Sequence, residues 1–317
     1  SYSSVFVQLK IVFKYYFNLL KYMKVEKNQS IVASLIGSSV SGVFEIGLFH
    51  PLDTITKRLM NNKTISHNLK KTILQNHHHK GWIRGIPSLY PGLGFATSYK
   101  VSQRIYKYTG QNVLKNYFLN NHKSKFENAF GEKNGNVMIS AVSGSLIGIG
   151  EIGLLPLDIL KIKSQVNPES LSNRGIVDLV RNERFNLYAG WRWTALRNAP
   201  GSFTLFGAST FFKSKIFGLD INDKASLFQH FTTSSLASTA CILVSSPMDV
   251  IKTRIQAQEF GKAENGMKII KDMVRHEGPG SFFKGIVPKV GSIGPKLTFS
   301  FTIAQYLIDH VNGLLRC

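Results

Sequence analysis

The sequence predicts an all-α membrane protein made of three tandem repeats of about 100 residues, with six transmembrane helices, three short amphipathic helices and pseudo-threefold symmetry. Three observations carry this reading. A proline motif recurs as FHPLDTITKR (Phe49 to Arg58), LLPLDILKIK (Leu154 to Lys163) and SSPMDVIKTR (Ser245 to Arg254). Its prolines, Pro51, Pro156 and Pro247, lie 105 and 91 residues apart, and self-similarity at a fixed period marks a repeat architecture. Each motif closes an apolar stretch such as NGNVMISAVSGSLIGIGEIG, which carries one charge in twenty residues and is long enough for a bilayer. A second signal follows each motif: HHHKGWIRG (His77 to Gly85), NERFNLYAG (Asn182 to Gly190) and HEGPGSFFKG (His276 to Gly285).

Taken in order, residues 1–29 form an N-terminal extension outside the fold. They begin with Ser and are basic and aromatic up to Tyr22. Met23 reads as the start, and the 22 residues before it as an over-extended reading frame; a targeting segment is the other reading. Repeats then span 30–118, 132–218 and 226–315. Each reads as an apolar helix, a proline, a charged helix end, a short amphipathic piece and a second apolar helix. The first helices hold small residues four apart, namely Ser38 and Gly42, Gly144 and Gly148, and Ser234 and Ser238. That spacing lets membrane helices approach closely. The prolines kink the first helix of each repeat, so that three helices converge on one axis. Asp158 with Lys161, and Asp249 with Lys252, would also suit local pairs three residues apart on one helix. Three copies in register after a proline favour a ring of pairs between helices.

Composition narrows the function. The 317 residues carry a formal charge of +21 with 43% hydrophobic residues, which implies an anionic partner. A nucleic-acid binder is the rival from another class, but the basic residues are scattered, without a cluster or a stacking motif. Two cysteines, Cys241 and Cys317, are too few and too distant for a disulfide framework or a zinc site. No phosphate-binding Gly-x-x-x-x-Gly-Lys-[Ser/Thr] loop occurs; Phe260–Gly261–Lys262–Ala263 lacks the first glycine and the hydroxyl. His77, His78 and His79 do not share a helix face and read as a polar loop, with no metal expected. No catalytic residues and no cofactor are expected, and the chain does not read as an enzyme.

The two signals, in three copies, resemble those of the mitochondrial carrier family over residues 30 to about 315. The resemblance implies six transmembrane helices, three short matrix helices, alternating access around a central site, and a multi-pass location in the mitochondrial inner membrane. It also implies both termini toward the intermembrane space, a monomer, and a lipid environment that includes cardiolipin. The family's matrix gate is a ring of ion pairs. Carried over, it pairs Asp53 with Lys161 and Asp158 with Lys252. Asp249 should meet a cation of repeat one, but Thr56 stands there, and Lys57 lies about 100° around the helix. Gln165 and Gln256 would brace the ring, whereas Met60 at the matching place cannot. Repeat two departs from the pattern with Arg184, repeat one lacks the acid before Gly81, and the second helices end in Tyr106, Phe211–Phe212–Lys213 and Gln305–Tyr306 without a carboxylate.

Family members read substrate at three points on the second helices. Counting seven residues from Gly85, Gly190 and Gly285 gives Gly92, Arg197 and Ser292, with Asn198 beside Arg197. Lys296 and Lys100 would supply charge near the third and first points, since cations inside a membrane segment default to function. The stretches YPGLGFATSYK, WTALRNAPGSFTLFG and FNLYAGW are similar to a branch of the family that moves guanine nucleotides, implying GTP and GDP as antiported substrates. An Arg fork suits the paired O6 and N7 acceptors of guanine, whereas adenine presents a donor there. Another nucleotide or a CoA-like anion is the alternative. Glu45 and Glu151, about two turns before their motifs, are expected either to pair with a cavity cation or to act as a proton or base contact.

Overall fold

A computed structural model of the chain describes residues 31–63, 69–80, 82–171, 175–183, 186–218, 226–261, 264–297, 299–300 and 303. All regular structure among these residues is helical. The helices are α1 (Ile31–Asn61), α2 (Leu69–Leu74), α3 (Trp82–Gly85), α4 (Leu93–Asn121), α5 (Lys123–Phe130), α6 (Glu132–Gly150), α7 (Leu155–Val166), α8 (Ile176–Asn182), α9 (Trp191–Phe217), α10 (Leu227–Ala257), α11 (Gly266–Asp272) and α12 (Ile286–Gly291). The first and third proline motifs end long helices, the second lies in the shorter α7, and each is followed by a short helix: α2, α8 or α11.

The prolines act in two ways. Pro51 and Pro247 sit inside the unbroken 31-residue helices α1 and α10. Pro156 instead lies in the first turn of α7, after a 3₁₀ turn over Glu151–Leu154 that separates it from α6. The first turn tolerates proline because its N–H has no intrahelical partner there. α10 starts on a capping box, in which Ser226 accepts from the Gln229 backbone and the Gln229 side chain accepts from the Ser226 backbone.

Packing closes a circuit. α1 lies against α4, α4 against α6 and α7, α6 against α9, α9 against α10, and α10 against α1, with α12 touching both α10 and α1. Small residues set the tightest approach. A methyl group on Gly144 would fall 3.0 Å from the Ser202 carbonyl, and one on Gly148 would fall 2.7 Å from the Ser202 hydroxyl, so these two glycines let α6 meet α9. The apolar core gathers where α1, α7 and α10 end: Met60, Val250, Ile251 and Ile255 in one cluster, Leu155, Ile159 and Leu160 in a second, and Ile162, Val166 and Ala257 in a third. Phe44 and Leu48 of α1, Leu146 and Ile149 of α6, Phe203 and Phe211 of α9 and Leu243 and Val244 of α10 face outward.

Among the described residues, Asn134–Val166 and Phe228–Ala257 are long and apolar enough to cross a membrane by length and composition. Helix α4 falls short of that measure, with Lys100, Arg104, Lys107 and Lys115 along its length.

Candidate functional site

The ends of α1, α7 and α10 hold one another through a cyclic set of contacts. The seventh residue after each motif proline is basic: Arg58, Lys163 and Arg254. Arg58 donates to the Gln165 carbonyl at 2.9 Å, Lys163 to the Gln258 carbonyl, and Arg254 to the Met60 carbonyl at 3.0 Å. Thus each cation reaches the closing carbonyl of the next motif helix in turn. Three glycines in left-handed conformation repeat the order. Gly92 (φ 70°), Gly190 (φ 72°) and Gly285 (φ 79°) cap α4, α9 and α12 and abut Ser164, Ile255 and Thr56 respectively. Glycine adopts this conformation without the penalty a side chain brings.

Inside this frame lie the residues expected to form the gate. Lys252 meets Asp158 at 2.6 Å, both nearly buried. Asp53 is engaged by Lys296 rather than by Lys161, whose ammonium stands 5.5 Å from the Tyr99 ring centre. Asp249 accepts from Arg197 at 2.7 Å and from Lys289. Thr56 turns its hydroxyl back to the Leu52 carbonyl, while Lys57 donates to Thr253, one turn beyond Asp249, at 3.0 Å. Gln165 donates to Thr54 at 3.2 Å and Gln256 to Thr194 at 3.4 Å, so both glutamines do bridge neighbouring helices.

The expected substrate points shift in one repeat. In the first, the glycine that opens the long second helix is Gly92 and not Gly85, which has ordinary helical backbone at φ −84°. Counting from Gly85 therefore starts seven residues early. Gly92 is packed on Ser164 and presents no side chain, and Tyr99 stands in register with Arg197 and Ser292. Ser292 returns its hydroxyl to the Lys289 carbonyl at 2.9 Å. Arg197 also donates to the Asn198 side-chain oxygen at 3.0 Å.

Glu45 and Glu151 are both held by cations. Glu45 binds Lys100 at 2.9 Å and Arg104, and Arg104 also reaches Ser41 at 2.7 Å and Ser300 at 2.5 Å. Glu151 binds Lys107 at 2.9 Å, accepts from the Tyr99 hydroxyl at 2.9 Å, and accepts from Gln103. Arg104, Lys107, Tyr99 and Gln103 are residues that the sequence reading missed. Their signal was available: Lys100, Arg104 and Lys107 fall at i, i+4 and i+7, as do Tyr99, Gln103 and Tyr106, so each set lines one face of α4. Arg184, Gln305, Tyr306 and Cys317 lie outside the described residues. Cys241 is a free thiol, His78 donates from Nδ1 to the Gln75 carbonyl at 2.7 Å, and no group of three potential metal ligands is assembled among the described residues.

Counting Lys57, Lys100, Arg104, Lys107, Lys161, Arg197, Lys252, Lys289 and Lys296 against Glu45, Asp53, Glu151, Asp158 and Asp249 gives nine cations to five carboxylates. Such a set favours a multiply charged anion, which can displace the carboxylates from the cations one by one. Outside the long helices, Glu277 accepts from Arg254 at 2.5 and 2.7 Å and from Lys284 at 2.6 Å. Burial raises its pKa, but these donors outweigh it and hold Glu277 below the ordinary value of 4.5.

A helical frame joined cyclically at three proline motifs around a cationic interior has the form of a solute carrier. Comparison with known proteins makes the class specific: the chain belongs to the mitochondrial carrier family and is a transporter. The family model described as mitochondrial carrier protein matches residues 223–313. Mitochondrial GTP/GDP carrier protein 1 of Saccharomyces cerevisiae is 51% identical over 295 residues, covering 92% of this chain and 98% of the relative. An uncharacterised mitochondrial carrier of Schizosaccharomyces pombe is 46% identical over 297 residues, 93% of this chain and 99% of its own length. The mitochondrial dicarboxylate transporter of Saccharomyces cerevisiae is 26% identical over 290 residues, 86% of this chain and 91% of its own.

Proposed function

We propose that this carrier exchanges GTP for GDP across the mitochondrial inner membrane by alternating access, as a monomer with six transmembrane helices drawn from three repeats about a pseudo-threefold axis. The cyclic contacts of Arg58, Lys163 and Arg254 support the repeat arrangement, and the 51% identity to the GTP/GDP carrier of Saccharomyces cerevisiae supports the substrate. One observation carries the reading: Arg197 and Asn198 sit side by side on α9, with Arg197 held by the gate carboxylate Asp249. A nucleotide that engages the Arg197 fork withdraws it from Asp249, so recognition and gating share one ion pair. Lys289 shares Asp249 and Lys296 holds Asp53, so phosphates drawn to these lysines act on the same gate. Asp158 and Lys252 form a pair that must part for the matrix side to open, aided by release of the Gln165 and Gln256 braces. Glu45 and Glu151 tune the charge of Lys100, Arg104 and Lys107, and a proton on either would offset the extra charge of the triphosphate. Cardiolipin is the lipid expected around the helix bundle.

Base recognition is tested by competition. Hypoxanthine keeps the O6 and N7 acceptors of guanine, so ITP competes with labelled GTP in exchange while ATP does not. In Arg197→Gln the preference for GTP and ITP over ATP shrinks by at least tenfold. Equal competition by ATP in the unaltered protein contradicts the assignment and returns the carrier to the wider class of nucleotide and CoA-like anion transporters.

A further inference from the structure

The three cations at the seventh position after the motif prolines differ in how they are neutralised. Arg254 is met by both oxygens of Glu277. The second repeat keeps a carboxylate, Glu183, at the matching place in its NERF signal. The first repeat has none: no Asp or Glu occurs anywhere between Asp53 and Glu127, a stretch that includes Lys63, Lys70, Lys71, Lys80 and Arg84. Arg58 is 5% exposed and spends its bonds on main-chain carbonyls alone: Gln165 at 2.9 Å, Ile73 at 2.5 Å and Ser88 at 2.9 Å. Carbonyls satisfy N–H groups but do not cancel the charge, and an uncompensated buried charge is costly. Three bonds also leave two of the five guanidinium N–H donors unspent.

A cavity of about 270 Å³ opens beside it, lined by Arg58, Gln75, Asn76, His77, Ser88 and Tyr90 and closed by Pro87, Pro91 and Pro168. Its walls are braced. Gln75 donates to the Val166 carbonyl at 2.9 Å, His50 bonds the Pro91 carbonyl at 2.9 Å, and the His50 and Tyr90 rings stack 6.1 Å apart. The cavity is far larger than a single water requires. The amide of Asn76 and the imidazole of His77, both exposed, stand at its mouth with donors to offer. We propose that this cavity is an anion site for a phosphate group, which takes the place of the carboxylate that the third repeat supplies as Glu277. Because the walls come from the end of α1, the 3₁₀ segment Gln75–Lys80, the approach to α4 and Pro168 beyond α7, a bound phosphate ties the first repeat to the second at the end of the molecule that carries the gate. The site is separate from Arg197 and does not depend on the nature of the transported solute.

The test uses the full chain, purified in neutral detergent and chloride buffer. Its thermal midpoint is followed as inorganic phosphate, or mixed micelles containing an anionic phospholipid, is added. The expected result is a rise of about 3 °C at saturation in the unaltered protein. Asn76→Ala with His77→Ala weakens the response at least tenfold. His77→Glu, which places a carboxylate at the mouth, raises the midpoint without any addition and removes the response. A rise with inorganic phosphate identifies a free anion, and a rise with the phospholipid alone identifies a headgroup; both support the site. No rise with either, or a rise that both variants retain, overturns it.

Discussion

At the scale of single residues, the interior is a set of cations whose partners are shared between two tasks. Arg197 is the clearest, bound at once to Asp249, the carboxylate we assign to the gate, and to Asn198. Lysine keeps the charge but not the planar fork, so Arg197→Lys is expected to lower kcat/KM for GTP exchange by about 10- to 100-fold, an activation cost of about 1.4 to 2.7 kcal/mol, measured by initial rates in proteoliposomes. Glu151 makes a second case. It takes Lys107, Tyr99 and Gln103 together, and Glu151→Gln leaves Lys107 without its charge partner. The exchange rate is expected to fall and its pH profile to change; if both stay as they were, Glu151 has no part in transport. Asp53, Asp158, Asp249 and Lys252 were legible in the sequence as a group because the proline motif repeats, and Arg197 and Lys296 by their distance from the glycines of the second signal. Their actual pairing was not, because a linear motif says which helix carries a charge but not which neighbour reaches it. Asp53 has both Lys161 and Lys296 to choose from, and the second helix of the third repeat supplies the nearer one.

At the scale of elements, the helix ends do most of the positioning. Gly285 begins α12 with φ 79°, and a methyl group there would lie 2.9 Å from the Thr56 carbonyl. Gly285→Ala is expected to cost about 2 kcal/mol, through left-handed strain and that contact together, and to lower the thermal midpoint in detergent. Arg254, Glu277 and Lys284 lock α10 to the start of α12. Removing one partner leaves a buried charge unmatched, so Glu277→Gln is expected to destabilise by about 3 kcal/mol. The pH dependence has a definite sign. Glu277 is depressed in the folded protein, so its stabilisation is complete above the ordinary carboxylate value of 4.5 and is lost as pH falls through the folded value. Acidification below about pH 4.5 lowers the midpoint of the unaltered protein, and Glu277→Gln lacks that increment of the acid response. Helix existence was readable from apolar runs and prolines. The break between α6 and α7 was not, since LLPLD resembles the unbroken FHPLD and differs by one residue in the spacing from EIG to proline. The seven-residue offset at Gly85 has the same origin: two glycines, Gly85 and Gly92, fit the signal equally well, and only the fold distinguishes them, with Gly92 left-handed and packed on Ser164.

At the scale of the whole molecule, three head-to-tail contacts and a closed circuit of helices enclose an interior with more cations than carboxylates. The +21 charge of the chain pointed to an anion from the start, but it did not say that nine of the cations gather inside around five carboxylates. What escaped the sequence reading was the extent of the basic face of α4: Lys100 stood out, but Arg104 and Lys107 join it only when Glu45 and Glu151 are brought against them. The cations along α4 also explain why hydropathy does not mark that helix as fit to cross a membrane. The central claim is guanine nucleotide antiport, and it is tested most directly by uptake of labelled GTP into proteoliposomes preloaded with GDP, GTP, ATP, CoA or nothing. The account predicts uptake against internal GDP or GTP and none against ATP, CoA or empty vesicles. Uptake driven equally by ATP or CoA, or no uptake with any load, would contradict it.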